Sequence, residues 1–331
     1  FSKYLLWFKT HDLSSIRLKS LLTNTFLTIK TPAENNSLTC SILINYLFPF
    51  RTPNTSYVNW LHKTKHQFIE YFLIRLTKMV QIIHFNRNLT KKGWDLKAEN
   101  FITFAKKLLL GNSYEVDHSI IKRYSLETTS DIIYGPNTVE FKALKDLYTY
   151  KTIDLKSFLA RQNYSKLDSF KLLHSKELLF PYLELKNLGF KEIVHIFIPN
   201  LKSKNISNIV DVFSFFNYCS LFEVEGDYFI EGMYDKSSCR EGLYIKLYLP
   251  DCAIHEFYNA FYEIFTLLGI EEYAIFHDLV DGAQLLKNVY GDLEFLSDYT
   301  PLTNLKWNKK DKIWMNVKIL DEKFNFLPIN L

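Results

Sequence analysis

Cysteine and glycine are scarce in this sequence, which has 4 and 10 of them among 331 residues. The four cysteines show no C-x-x-C spacing, so we expect no structural zinc, and a reduced, cytoplasmic chain is the default interpretation. No apolar run approaches the roughly 20 residues that span a bilayer, so no membrane partner is expected. The composition is 47% hydrophobic and 16% aromatic. That is enough for real hydrophobic cores, and the length allows two or three domains.

Motifs that mark enzymes are also missing. The chain has no G-x-G-x-x-G, Walker A, G-x-S-x-G or H-E-x-x-H sequence. His62 and His66 stand four residues apart on a predicted helix, but no carboxylate falls at a matching offset, so a solvated face explains them better than a metal site. Acids near predicted strand ends, such as Glu272 and Asp278, are explained by capping or solvation. We therefore expect no enzyme, no metal and no cofactor.

An internal repeat is present. Apolar periodicity predicts the order β-α-β-β-α-β in residues 1–88, the first repeat, and again in residues 189–280, the second repeat. Predicted strands of the first repeat are 3–9, 25–30, 40–49 and 80–85, and its helices are 14–23 and 58–77. The second repeat has strand-like stretches at 189–200, 220–225, 228–234, 243–250 and 272–277, and helices at 206–218 and 254–268. This order is that of a ferredoxin-like unit.

Between the repeats, residues 137–188 have the outline of a winged helix-turn-helix. Their apolar residues fall at helical spacing in three short blocks, and 180–185 alternates like a strand. Ser165 and Asp168 open the third block with a capping-box pattern, which marks a helix start. A three-helix packing unit that touches no nucleic acid is the alternative at this point.

Short motifs in this region and in the second repeat resemble those of the Lrp/AsnC (leucine-responsive, feast/famine) family of transcription regulators. The matching residues are Leu159 and Ala160, 182–185, Leu188 and Gly189, and the stretch EVEGDY at 223–228. The resemblance covers about 140 of the 331 residues. It implies an α+β fold class, here as two ferredoxin-like βαββαβ domains flanking a winged helix-turn-helix.

The resemblance implies a DNA-binding transcription regulator with duplex DNA as its partner. On the third predicted helix, base-facing residues would be Lys166, Ser169 and His174. Phosphate contacts would come from Lys151, Lys156 and Lys171, and would set register without choosing sequence. In this family a winged helix precedes each sensor domain, so the resemblance also implies another one upstream of Phe1.

The family further implies an amino acid or other small effector near Gly226, Asp227 and Tyr228. Gly226 and Asp227 are predicted to form a turn, with exposed backbone N–H groups and a carboxylate for a charged ligand. A plain hairpin turn without a ligand is the alternative. The sensor domains of the family also pair, so we expect the repeats to pair within the chain or between copies of it.

The remaining segments complete the predicted organisation. Residues 89–136 are expected to be a helical linker with one good helix at 96–110, which Gly111 ends. Residues 135–137, Gly-Pro-Asn, form a predicted turn before the winged helix at 137–188. The tail, 281–331, is expected to have a short helix at 283–289 and a hairpin at 307–319.

Charge is divided unevenly along the chain. Residues 1–136 have 18 Lys and Arg against 9 Asp and Glu, whereas residues 190–280 have 6 against 14. A basic first half suits phosphate contact, and attraction between the two repeats is the other explanation. The alternative to a DNA-binding regulator is a non-enzymatic assembly or scaffold protein that uses ferredoxin-like domains to bind protein or RNA.

Overall fold

The structure is a mixed α/β arrangement around an antiparallel sheet. The computed structural model describes residues 2–10, 29–32, 40–48, 70–84, 89–90, 93–111, 116–126, 135–142, 171–176, 190–201, 203–230, 233, 239–250, 253–280 and 305–316. The predicted helices 14–23 and 283–289, the strand-like stretch 180–185 and the His62/His66 pair lie outside these residues.

The described strands are short to medium in length, with β4 the longest. They are β1 Ser2–Thr10, β2 Ile29–Pro32, β3 Cys40–Phe48, β4 Glu70–Ile83, β5 Leu89–Thr90, β6 Gly93–Trp94, β7 Ile121–Ser125, β8 Phe190–Ile198, β9 Tyr218–Phe229, β10 Cys239–Pro250, β11 Ala274–Val280, β12 Leu305–Asn308 and β13 Ile313–Asn316. The described α-helices are α1 Ala98–Leu109, α2 Ser203–Phe213 and α3 Ile254–Leu267. Shorter helical stretches lie at 139–142 and 171–175.

Eight strands of the main sheet close into a ring. The hydrogen-bonded order is β1-β3-β2-β11-β8-β10-β9-β4, and β4 pairs again with β1. Every neighbouring pair in the ring is antiparallel. The ninth strand, β7, pairs with the second half of β4, beyond the residues that β1 occupies.

Many predicted elements are confirmed. The strands β1, β3, β8, β10 and β11 lie where apolar alternation placed them, and α1 and α3 match the predicted helices to within two residues. Gly111 follows α1 at a φ of 76°, which is the left-handed conformation expected of a glycine that ends a helix. The tail hairpin is confirmed as β12 and β13, with the turn between Asn308 and Ile313.

The predicted helix 58–77 is wrong from residue 70 onward. Residues Glu70–Ile83 form β4, which starts ten residues before the predicted strand at 80–85. Most of its side chains are buried on both faces, because two separate hydrophobic clusters pack against the two faces of the sheet. An apolar run buried on both faces has no period of two, so it resembles a buried helix in sequence.

The predicted turn at Gly226 and Asp227 is also wrong. Both residues lie inside β9, where Gly226 pairs with Ile74 and Asp227 pairs with Leu73 of β4. A partner strand from the first repeat therefore holds this stretch extended, against its local turn preference. Two smaller differences are that α2 ends at Phe213 rather than near 218, and that β7 was not predicted.

A β-bulge at Thr77 divides β4 into two halves, and the even-numbered side chains of the two halves point to opposite faces of the sheet. The β4–β9 register shifts between Leu76 and Lys78. Before the shift Phe72, Ile74 and Leu76 face one cluster, and after it Val80 and Ile82 face the other. An extra residue in one strand produces this change of face and increases the local twist.

The cluster that Val80 and Ile82 face, here called the helix-side core, lies between the sheet and the helices. Phe101 of α1 is fully buried, and its ring lies 4.8 Å from Phe216 and 5.9 Å from both Phe257 and Phe261. Helix α1 belongs to the segment between the repeats, yet it packs against helices of the second repeat. This part of the predicted linker therefore contributes to a core.

The cluster that Phe72, Ile74 and Leu76 face, here called the aromatic cluster, lies on the opposite face of the sheet. Phe72 of the first repeat contacts Trp7, Phe197, Tyr244 and Phe276, with ring centroids 4.8 to 6.2 Å apart. Because the last three belong to the second repeat, this cluster joins the two repeats. Offset and tilted aromatic pairs of this kind add to the free energy of area burial.

Candidate functional site

The helical stretches of segment 137–188 present polar side chains to solvent. A turn with a Thr138 N–H to Gly135 carbonyl bond of 3.1 Å precedes the stretch 139–142, and this confirms the turn predicted there. The Thr138 hydroxyl oxygen accepts the N–H of Phe141 at 3.3 Å, which caps the new helix. The first predicted helical block of the segment therefore starts where expected.

Two of the six predicted DNA contacts lie in the described residues. Lys171 and His174 are exposed, whereas Leu173 between them is 1% exposed. The inward and outward sides of this stretch are therefore as predicted. The other four residues, Lys151, Lys156, Lys166 and Ser169, lie outside the described residues.

An ion pair links the two helical stretches. The Lys176 ammonium donates a hydrogen bond to a carboxylate oxygen of Glu140. This bond lowers the pKa of Glu140 below its ordinary value of 4.5. Because the residues are 36 apart in sequence, the contact joins the stretch 171–176 to the stretch 139–142.

We expect this pair to show a pH-dependent coupling. A carboxyl whose pKa is lower in the folded than in the unfolded chain stabilises the fold above about pH 4.5, and the contribution is lost as pH falls through the lower folded value. A double-mutant cycle with Glu140→Gln and Lys176→Gln should give a coupling energy of about 0.5–1 kcal/mol at pH 7, since the lysine is partly exposed. The same cycle near pH 2 should give a smaller coupling energy, because protonation of Glu140 removes its charge. Equal coupling at both pH values would contradict the ion pair.

The predicted effector residues lie at the junction of the repeats rather than in an exposed turn. Tyr228 is fully buried, and its hydroxyl accepts a hydrogen bond from the Asn200 amide at 3.1 Å and donates one to the Glu272 carboxylate at 3.4 Å. Gly226 and Asp227 pair with β4. The effector role expected for these three residues depended on an exposed turn, and they do not form one.

Opposite charges meet along the β4–β9 pairing. The Arg75 guanidinium donates to the Glu225 carboxylate at 2.8 Å, and the Lys78 ammonium donates to Glu223 at 2.7 Å. In both pairs the first repeat supplies the base and the second repeat supplies the acid, directly across the strands. These contacts agree with the explanation that the basic and acidic repeats attract each other, although each exposed pair contributes at most about 1 kcal/mol.

A buried polar pair in the aromatic cluster was not predicted. His195 is 2% exposed, and its Nδ1 lies 2.6 Å from the Tyr244 hydroxyl oxygen. The only sequence signal was a histidine in the middle of the apolar run IVHIFI at 193–198. Such a residue is expected to be buried with a hydrogen-bond partner.

Metal and thiol chemistry find little support in the described part of the chain. No group of three or more His, Cys, Asp or Glu residues there could hold a metal ion. Cys219 is fully buried, and desolvation raises the pKa of its thiol, so it stays protonated and unreactive. Among the described helices, none has the length and apolar character to cross a bilayer.

Comparisons with family models, with curated proteins and with solved structures find no match to this chain. What the structure defines is the class: a mixed α/β protein with an antiparallel sheet.

Proposed function

We propose that this chain is a DNA-binding transcription regulator of Lrp/AsnC-like build, whose two repeats are ferredoxin-like domains paired within one molecule. Segment 137–188 would act as the winged helix that contacts duplex DNA. The repeats would supply the pairing that sensor domains of the resembled family make between subunits.

The strand order within each repeat supports the ferredoxin-like assignment. In the first repeat the four strands lie in the order β4-β1-β3-β2, and in the second they lie in the order β11-β8-β10-β9. Both orders are fourth, first, third and second, so the first and third strands hold the two middle positions in each repeat. The described helices α2 and α3 lie between the strands where a βαββαβ unit requires them.

The reciprocal junction of the repeats is the observation that most supports the proposal. The fourth strand of the first repeat, β4, pairs with the second strand of the second repeat, β9. The fourth strand of the second repeat, β11, pairs with the second strand of the first, β2. Two identical subunits related by a two-fold axis would exchange edges in the same way. The extended β4–β9 pairing and the short β11–β2 pairing together support an arrangement of the two repeats like that of a dimer.

The distribution of charge along the sequence supports DNA contact by the helical segment. Residues 137–189 have 9 Lys and Arg against 6 Asp and Glu, while residues 190–280 have an excess of 8 acids. Lys171 and His174 are exposed on a helix that Leu173 anchors. A basic segment that is joined along the chain to an acidic domain favours one orientation on a polyanion.

A binding experiment with matched variants tests the proposal. We expect full-length protein to bind DNA from its own upstream region over random competitor, and Lys171→Ala/His174→Ala to weaken specific binding by at least roughly tenfold, the cost of one lost base or phosphate contact. The control is Lys204→Ala/His255→Ala, which removes the same two side-chain types from exposed positions of the acidic repeat. That control should bind like the parent protein.

Other outcomes separate the alternatives. Salt-sensitive binding without sequence preference, equal in both double variants, would mean a general basic surface rather than a sequence reader. No binding at all would contradict the proposal and favour the assembly or scaffold protein.

A further inference from the structure

The C-terminal hairpin projects a cluster of lysines. Strands β12 and β13 pair in register, with Trp307 opposite Trp314 and Asn308 opposite Ile313. The four residues of the turn between them, Lys309, Lys310, Asp311 and Lys312, are all exposed. Three positive charges therefore stand at the tip of a two-stranded element.

The turn is held in one conformation by Asn308. Its side-chain oxygen accepts the N–H of Lys310 at 2.9 Å and of Asp311 at 3.2 Å, and its amide donates to the Asp311 carboxylate at 2.6 Å. Lys312 closes the turn at a φ of 52°. The one acid of the turn is thus engaged by a neutral amide, and within the described part of the chain none of the three lysines forms an ion pair.

The hairpin packs against the turn that precedes the helical stretch 139–142. The Trp307 ring lies against Gly135, where a Cβ atom would stand only 3.1 Å from Cζ2 of the indole. The Gly135 carbonyl accepts the Thr138 hydroxyl at 2.8 Å, and Thr138 caps the helix at 139–142. The lysine turn and the helical segment are therefore connected through one contact chain.

We propose that this hairpin is a second DNA-contacting element, whose three lysines bind backbone phosphates of the duplex beside the helical segment. The inference rests on the proposed function and adds a contact surface that segment 137–188 does not contain. Flexible lysines on a fixed turn neutralise phosphates without reading bases. The hairpin would therefore add affinity and salt dependence to every DNA sequence alike.

The test compares neutral and charge-preserving variants of full-length protein. Lys309→Gln/Lys310→Gln/Lys312→Gln should reduce the slope of log K against log salt by about 2–3, because each lost phosphate contact removes about 0.9. Affinity at 0.1 M salt should fall roughly 10- to 100-fold for specific and random duplexes alike, so their ratio stays constant. The matched Lys309→Arg/Lys310→Arg/Lys312→Arg variant should retain the parent slope.

The outcomes distinguish this inference from the proposed function. Specific binding by the parent, with an unchanged slope in the Gln variant, would overturn the hairpin inference alone. A reduced slope in the Gln variant of a protein that binds without sequence preference would support the hairpin and overturn the regulator. No duplex binding by the parent would overturn both. An equal loss of DNA affinity in the Arg variant would mean that the conformation of the hairpin, rather than its charge, supports binding. That result would also overturn the inference.

Discussion

Gly226→Ala should destabilise the protein by about 3–5 kcal/mol, which combines overpacking with backbone strain. A Cβ atom at this position would stand 2.1 Å from the Leu73 carbonyl oxygen and 2.8 Å from the Ile74 Cα. Both are backbone atoms of β4, so no side chain can turn aside to make room. The φ of 154° at Gly226 is also one that other residues rarely adopt. Relief requires β4 and β9 to separate.

Two other glycines provide the control. Gly111 and Gly269 have φ values of 76° and 66°, and a Cβ atom at either would meet nothing within 4 Å. Their alanine variants should cost only the left-handed conformation, about 1–2 kcal/mol. Urea denaturation of the three variants measures the difference. If Gly226→Ala were no more destabilising than the controls, the close pairing of β4 with β9 would be wrong.

Phe72→Ala should cost about 3–5 kcal/mol, as expected for a buried aromatic side chain whose cavity cannot fill. Phe72 is 0% exposed and is the residue of the first repeat that contacts Phe197, Tyr244 and Phe276 of the second. Its removal therefore weakens the contact between repeats as well as burial within one of them. We expect both repeats to lose stability together.

Tyr262→Ala is the matched control for this variant. Tyr262 lies on α3 and is 65% exposed, so its truncation should change stability by no more than about 0.5 kcal/mol. Chemical denaturation followed by circular dichroism measures the cost, and tryptophan fluorescence adds a signal to which Trp7, stacked on Phe72 at 5.6 Å, contributes with the four other tryptophans. A cost for Phe72→Ala below about 1 kcal/mol would show that the aromatic cluster does not join the repeats.

Local pattern was sufficient for elements whose two faces differ. Helices α1 and α3 have one apolar and one polar face, and both were predicted closely. Pattern failed for β4, because residues from distant parts of the chain pack against both of its faces. The turn predicted at Gly226 was wrong for the same reason. Its turn preference is local, whereas the pairing with Ile74 joins residues about 150 apart in sequence.

The candidate site was predictable only in part. The outward position of His174 and Lys171 follows from helical spacing around Leu173. The contact of Trp307 with Gly135 could not be predicted, because nothing in either local sequence indicates the other. The lysine turn at 309–312 was predicted as a turn, and only its place beside the helical segment gave it a candidate role.

The exchange of edge strands between the repeats removes a step that separate subunits require. When two halves are covalently joined, their association is intramolecular and does not depend on dilution. If the proposed function is correct, DNA-binding curves should be first order in protein, without a dimerisation phase. Covalent joining also allows the two halves to differ in sequence, and here the first half is basic whereas the second repeat is acidic. A regulator of the proposed kind would need no palindromic site, because one asymmetric stretch of duplex would match its two unlike halves.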